Sequence, residues 1–82
     1  MKVISFNLHY NLIEFNYYVT QIENDIISII ELLIDCKIED FNEEDFDNTF
    51  IFETENLTYV FSNFKVSEFY EDGKYLHVTC VK

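Results

Sequence analysis

One stretch of the chain, from Leu12 to Cys36, restricts the possible folds more than any other part of the sequence. Its apolar side chains recur with a strict 3–4–3–4 spacing, which is typical of one face of an α-helix. The positions are Leu12, Phe15, Val19, Ile22, Ile26, Ile29, Leu33 and Cys36. A single helix over these 25 residues would be about 37 Å long. Because that is longer than a domain of 82 residues is wide, we expect the stretch to be divided between two elements.

The second part of the stretch is predicted to be the main helix, covering about residues 21–36. The segment Thr20-Gln21-Ile22-Glu23 has the form of a capping box, in which the Thr20 hydroxyl accepts from the Glu23 amide and the Glu23 side chain reaches back. An apolar stripe with helical spacing follows. It consists of Ile22, Ile26, Ile29, Ile30 and Leu33.

The first part, residues 12–19, is compatible with two structures. Apolar and polar residues alternate there, as in a half-buried strand, and several of them are good strand formers. The same residues also continue the helical spacing. A strand that ends near Thr20 is favoured, and the helical alternative stays open.

Strand patterns occupy much of the remaining chain. They cover residues 2–10, 49–54, 57–63, 65–71 and 74–81. Between the last two, Asp72-Gly73 suits the positive φ angles of a tight hairpin turn.

The predicted fold class is therefore α+β, with the main helix (about 21–36) packed on a mostly antiparallel sheet that ends in a C-terminal β-meander. Residues 1–82 are expected to form a single domain. The predicted core draws on the helix and on the strands. Its members are Ile26, Ile29, Leu33, Phe52, Val60, Leu76 and Val78.

The charge balance excludes several classes of partner. Sixteen acidic residues against five Lys and no Arg give a net charge of −11. Because Lys and Arg contacts to phosphates supply most of the affinity for nucleic acids, direct binding to DNA or RNA is not expected. The same charge disfavours anionic membranes. A disordered acidic tail is excluded too, since 49% of the residues are hydrophobic.

No catalytic motif, cofactor motif or metal-binding motif is present, and the chain is interpreted as a non-enzyme without cofactors or metals. Asp45-x-Asp47 resembles the start of a calcium loop. An EF-hand is rejected because Phe50 and Asn56 stand where Gly and Glu are required. Cys36 and Cys80 are predicted to be reduced. Without a signal peptide or a membrane span in the sequence, the expected location is the cytoplasm.

The candidate binding site is the acidic segment between the predicted helix and the next strand, where Phe41 and Phe46 are expected to act as anchors. The partner-binding residues proposed from the sequence are Glu39, Asp40, Glu43, Glu44, Asp45 and Asp47. The competing interpretation is a face that only keeps the protein in solution. Such dense like charges repel one another and weaken the fold, which favours a basic partner. An aromatic sheet face is a second candidate surface. It would contain Tyr17, Tyr18, Tyr59, Tyr70 and Tyr75.

In size, charge and its acidic run, Glu-Asp-Phe-Asn-Glu-Glu-Asp-Phe-Asp from Glu39 to Asp47, the chain resembles the small acidic inhibitors carried by phages and mobile elements, including anti-CRISPR proteins. It is also similar to bacterial immunity proteins that neutralise a basic nuclease toxin. The resemblance implies that carboxylates occupy a basic groove built for phosphates.

The function expected from the sequence is thus a non-enzymatic inhibitor that binds a basic nucleic-acid-handling host protein, either a nuclease or a CRISPR effector. It would act in the host bacterial cytoplasm, as a monomer or a homodimer, with possible nucleic-acid mimicry. The alternatives are an immunity protein, or a phage structural or assembly subunit.

Overall fold

A computed structural model describes residues 3–82, and in it almost all regular structure is β-strand. The strands are β1 (Val3–Phe6), β2 (Asn11–Ile22), β3 (Asp25–Asp35), β4 (Phe50–Thr54), β5 (Thr58–Phe61), β6 (Lys65–Glu71) and β7 (Leu76–Val81). Two short 3₁₀ helices, Ile38–Asp40 and Glu43–Asp47, connect β3 to β4. One sheet has the order β1-β4-β5 and the other β2-β3-β7-β6. All neighbouring strands are antiparallel.

The predicted α+β fold is wrong, because residues 21–36 do not form a helix. They form the end of β2, a turn and β3, with Ile22 paired to Asp25. Thr20 lies inside β2, and Glu23 begins the turn with a φ of 57°. A positive φ at this position is what two-residue hairpin turns require. The capping-box sequence is therefore a hairpin turn and caps no helix. Residues 12–19, for which a helix was left open, lie within the strand β2.

The physical reason is that β3 carries apolar residues on both of its faces. Alternate residues Ile30, Leu32 and Ile34 are buried between the sheets, while Ile29 and Leu33 are half-buried on the other face. A strand that is apolar on both sides imitates a helical spacing. Isoleucine is β-branched and favours the extended backbone, and this preference favours a strand over a helix here.

The predicted core is correct in part. Phe52, Leu76 and Val78 are buried, as expected. Ile26 is 74% exposed and Val60 is 60% exposed. Ile26 lies beyond the last backbone contact of β3 on the β7 side, which is between Ser28 and Lys82, so β2 alone borders the start of the strand.

The core lies between the two sheets and is rich in aromatic side chains. Phe15 of β2 contacts Phe52 of β4 across it, with ring centroids 4.2 Å apart. The buried phenylalanines are Phe46, Phe50, Phe52, Phe61 and Phe64. Aromatic side chains of this size supply large buried area per residue, which a domain of 82 residues needs.

The turn predicted at Asp72-Gly73 does close a hairpin, between β6 and β7. Residues 72–75 form the loop, and Gly73 adopts a φ of 95°. The Asp72 carboxylate accepts from the backbone N–H groups of Tyr75 and Lys74, at 2.8 and 2.9 Å, and contacts His77 Nε2 at 2.7 Å. These contacts, first of all the bond from Tyr75, hold the pKa of Asp72 well below its usual range. Their contribution to stability is present above the usual aspartate pKa of about 3.9 and is lost as the pH falls below it.

Neither cysteine forms a disulfide. Cys80 is buried, and burial raises the pKa of its thiol to about 12. Cys36 is half-buried beside the acidic segment. In residues 3–82, no helix has the length and apolar character needed to cross a membrane.

Two isoleucines of β3 give a matched test of the core. Ile30 is fully buried, whereas Ile26 is 74% exposed. Ile30→Ala should lower the free energy of unfolding by about 2–5 kcal/mol, and Ile26→Ala should change it by less than about 0.5 kcal/mol. Urea denaturation measures both. Equal effects would contradict the strand and its facing.

The cysteines should differ in reactivity, because the thiolate is the species that reacts. In the native protein, a thiol reagent should label Cys36 first and should label Cys80 only on unfolding. Mass spectrometry of the Cys36→Ser and Cys80→Ser variants, with and without denaturant, separates the two sites. Reductant should leave the melting temperature unchanged. A fall in melting temperature on adding reductant would indicate a disulfide instead.

Candidate functional site

The acidic segment between β3 and β4 is held on the surface by two aromatic anchors, as predicted. Phe46 is fully buried and lies 5.2 Å from Phe50 and 5.8 Å from Tyr10, centroid to centroid. Phe41 packs on Phe69 of β6 at 4.8 Å. Because these rings pack inward, Glu43 and Glu44 between them are left exposed.

Four of the six predicted partner-binding residues are exposed with unpaired carboxylates. They are Glu39, Asp40, Glu43 and Glu44. None of them forms an ion pair with another residue of the described range 3–82. Their charges are therefore available to a partner.

Asp45 has an internal role instead. The Tyr10 hydroxyl donates to the Asp45 carboxylate and accepts from the Asn42 N–H at 2.9 Å. His9 Nε2 lies 3.7 Å from the same carboxylate. Burial of Tyr10, with the hydrogen bond to Asp45 as the next cause, raises the pKa of Tyr10 to about 12. These contacts fasten the second 3₁₀ helix to the loop that precedes β2.

Asp47 is also engaged, by Lys65 of β6 at 3.3 Å. Both side chains are substantially exposed, so the pair adds little stability. It nevertheless neutralises one of the six predicted charges. The structure thus divides the predicted set into four available acids and two that already have partners.

Two acids outside the predicted set complete the surface. Asp35 ends β3, and Glu71 ends β6, where its carboxylate accepts from the Ile38 N–H at 2.9 Å. Burial raises the pKa of the Cys36 thiol, and so do the charges of the surrounding acids. Those acids are Asp40, Asp35, Glu39 and Glu71.

We call this set the acidic surface. It consists of Asp35, Glu39, Asp40, Glu43, Glu44 and Glu71. The strand order β3-β7-β6 brings Asp35 and Glu71 to the same end of the sheet. The local sequence around Glu71 carries no sign of this, because it depends on which strands become neighbours.

The chemistry open to the acidic surface is that of a fixed array of hydrogen-bond acceptors. Carboxylates at this density pair with the guanidinium and ammonium groups of a partner. In residues 3–82, no three His, Cys, Asp or Glu side chains are placed to hold a metal ion.

The alternative aromatic surface is not brought together. Tyr17 points toward the inner face, where it contacts Phe61 at 5.3 Å. Tyr18 and Tyr70 lie on the outer face of the four-stranded sheet, and Tyr70 stacks on His77 at 4.6 Å. Tyr59 is half-buried against Phe15. The five tyrosines therefore do not form one patch.

Comparisons with known proteins found no matching family model, no matching curated protein and no matching solved structure.

Removing the Tyr10 hydroxyl tests the fastening of the acidic segment. Tyr10→Phe should lower the free energy of unfolding by about 1–3 kcal/mol at neutral pH, because the Asn42 N–H and the Asp45 carboxylate lose their partner. The folded protein holds the Tyr10 proton more tightly than the unfolded chain, whose tyrosines titrate near pH 10. This contribution is complete below about pH 10 and is lost as the pH rises toward 12.

Urea titrations of wild type and Tyr10→Phe from pH 8 upward measure the effect. The difference between the two proteins should shrink in the alkaline range. The other tyrosines are present in both proteins, so the effect of their titration cancels in this difference. A difference that stays constant with pH would contradict the assignment.

Proposed function

We propose that this protein is a non-enzymatic inhibitor that binds a basic nucleic-acid-handling protein through its acidic surface. One observation carries the proposal: the exposed acids of the acidic surface lie along the connection between β3 and β4 and at the adjoining ends of β3 and β6, and within residues 3–82 none of them forms an ion pair with a cationic side chain. Sixteen acids share only five Lys. Repulsion of this kind weakens a fold, and a basic partner relieves it.

The mechanism follows from the arrangement of the carboxylates. At long range the net charge of −11 attracts a positive groove and raises the rate of association. At contact, the carboxylates of Glu39, Asp40, Glu43 and Glu44 accept hydrogen bonds from Lys and Arg side chains that otherwise hold phosphates. The groove is then blocked for DNA or RNA.

The mounting of the acids favours tight binding. Buried Phe46 and the Tyr10–Asp45 contact fix the backbone beneath them. A surface already ordered before binding loses less conformational entropy on association. The resemblance to phage-borne inhibitors suggests the biological setting, which is counter-defence in the cytoplasm of a host bacterium against a nuclease or CRISPR effector.

Charge reversal with a matched control tests the proposal. One variant carries Lys at the four available acids: Glu39, Asp40, Glu43 and Glu44. The control carries Lys at four exposed acids elsewhere: Asp25, Glu53, Glu55 and Glu68. Each reversal adds two charges, so the net charge changes from −11 to −3 in both variants.

Wild type and both variants are immobilised and exposed to nuclease-treated bacterial lysate, and the bound proteins are identified by mass spectrometry. A basic nucleic-acid enzyme should bind wild type and control. It should bind the surface variant at least about thirty-fold more weakly, which corresponds to about 2 kcal/mol. Added DNA or RNA should displace it, and higher salt should weaken it. A complex that accepts nucleic acid and this protein together, or equal losses in both variants, would refute phosphate mimicry.

A further inference from the structure

The outer strand of the four-stranded sheet is unusually long. β2 has 12 residues, whereas strands in globular proteins are usually about 5–6 residues long. It pairs with β3 on one side. On its other side, no strand of the described chain, residues 3–82, is paired with it.

The ladder shows which backbone groups point to this open side. Ser28 and Lys82 exchange backbone hydrogen bonds at 3.0 and 3.4 Å, so the N–H and C=O of Ser28 face β7. Val19 of β2 lies opposite Ser28 of β3. Its own N–H and C=O therefore point away from β3, because such groups alternate along an antiparallel pair. By the same alternation, Phe15, Tyr17 and Gln21 also present theirs to the open side.

This open edge lacks the features that normally protect one. Natural edge strands carry charged side chains, Pro or bulges that prevent pairing with another chain. Residues 15–22 contain no charge and no Pro, although 26% of the whole chain is charged. The one bulge of β2 lies earlier, between Leu12 and Glu14.

Apolar side chains stand exposed on both faces of the same segment. Tyr17 and Val19 are 43% and 54% exposed on one face, and Tyr18 and Ile22 are 39% and 55% exposed on the other. A strand added at this edge would cover side chains on both faces as well as satisfying the backbone groups.

Charge indicates what the added strand is. A basic partner gains nothing from a neutral strand, since its attraction is to the acids. Two copies of this chain, each with a charge of −11, repel each other wherever acids meet. Residues 15–22 carry no charge, so two copies can pair along this segment without bringing its side chains into like-charge repulsion. Each copy supplies the same kind of edge.

We propose that two copies of this chain associate by antiparallel pairing of their β2 edges about a two-fold axis, which joins two four-stranded sheets into one. Such an interface is isologous and closes at the dimer. Centred on Tyr18, the pairing sets Glu14 of one copy opposite Ile22 of the other. Asp35 of the acidic surface pairs with Asn11, and the Asn11 ends of the two copies are then roughly 48 Å apart at about 3.4 Å per residue. The inference does not depend on the proposed function.

Proline at Val19 gives a selective test. Val19→Pro removes an N–H that points away from β3, so the ladder within one copy is kept while pairing with a second copy is blocked. The matched control, Val19→Ala, loses the apolar side chain but keeps the N–H. Sedimentation equilibrium of the purified full chain measures the dissociation constant, and circular dichroism checks that each variant is folded.

Wild type and Val19→Ala should form dimers, and added NaCl should tighten them because it screens the repulsion. Val19→Pro should raise the dissociation constant at least tenfold. If Val19→Pro does not fold, Gln21→Pro with Gln21→Ala as control removes the next outward N–H and should give the same result. A monomeric wild type at 100 µM protein and at every salt concentration would overturn the proposal. The proposal would also be overturned if the Pro variant and its Ala control, both folded, weakened the dimer equally.

Discussion

Burial of Phe46 is the interaction on which the organisation of the molecule depends. Its ring is inaccessible to solvent and contacts Phe6 of β1, Phe50 of β4 and Tyr10 before β2. Residues on both sides of Phe46 in the chain are acidic. A fully buried Phe contributes about 1.5–3 kcal/mol, whereas two exposed charges a few ångströms apart repel by about 1 kcal/mol in water. The aromatic anchor therefore holds a segment that its own charges would otherwise push away from the domain.

The sequence allowed this anchoring to be predicted, but not the strand that precedes it. Phe41 and Phe46 were the only large apolar residues among the acids of residues 39–48, so their packing against the core followed from composition. In residues 21–36, by contrast, apolar residues fill both faces of β3. Ile30 and Ile34 serve the core, while Ile29 lies on the outer face. The 3–4–3–4 spacing of apolar residues and the capping motif both favoured a helix. The opposing signal was the preference of isoleucine for strands, summed over the segment.

The candidate site was predictable to the extent that it is local. Glu39, Asp40, Glu43 and Glu44 are exposed because they lie beside the inward-packed rings of Phe41 and Phe46, and neighbouring residues in the sequence are enough to predict this. The engagement of Asp45 by Tyr10 spans 35 residues, and that of Asp47 by Lys65 depends on where β6 lies. Glu71 joins the surface only because β7 sits between β3 and β6. Such contacts follow from strand order, and strand order was not determined by any pattern in the sequence.

The division of charge along β2 links the two proposed interactions. Asp35 of the acidic surface pairs with Asn11 at one end of the strand, and the neutral segment 15–22 occupies the other end. A separation of roughly 48 Å between the two Asn11 ends is several times the Debye length of about 8 Å at physiological ionic strength. In the proposed pair the acids at these two ends therefore barely repel each other, and the pairing does not cover them. A dimer of this form can engage two basic sites at once, and the second contact then benefits from the effective concentration set by the first. Salt weakens each contact between the acidic surface and a basic partner, but it strengthens the pairing of two copies. Because the two effects oppose each other, self-association extends the range of ionic strength over which such an anion could hold a basic partner.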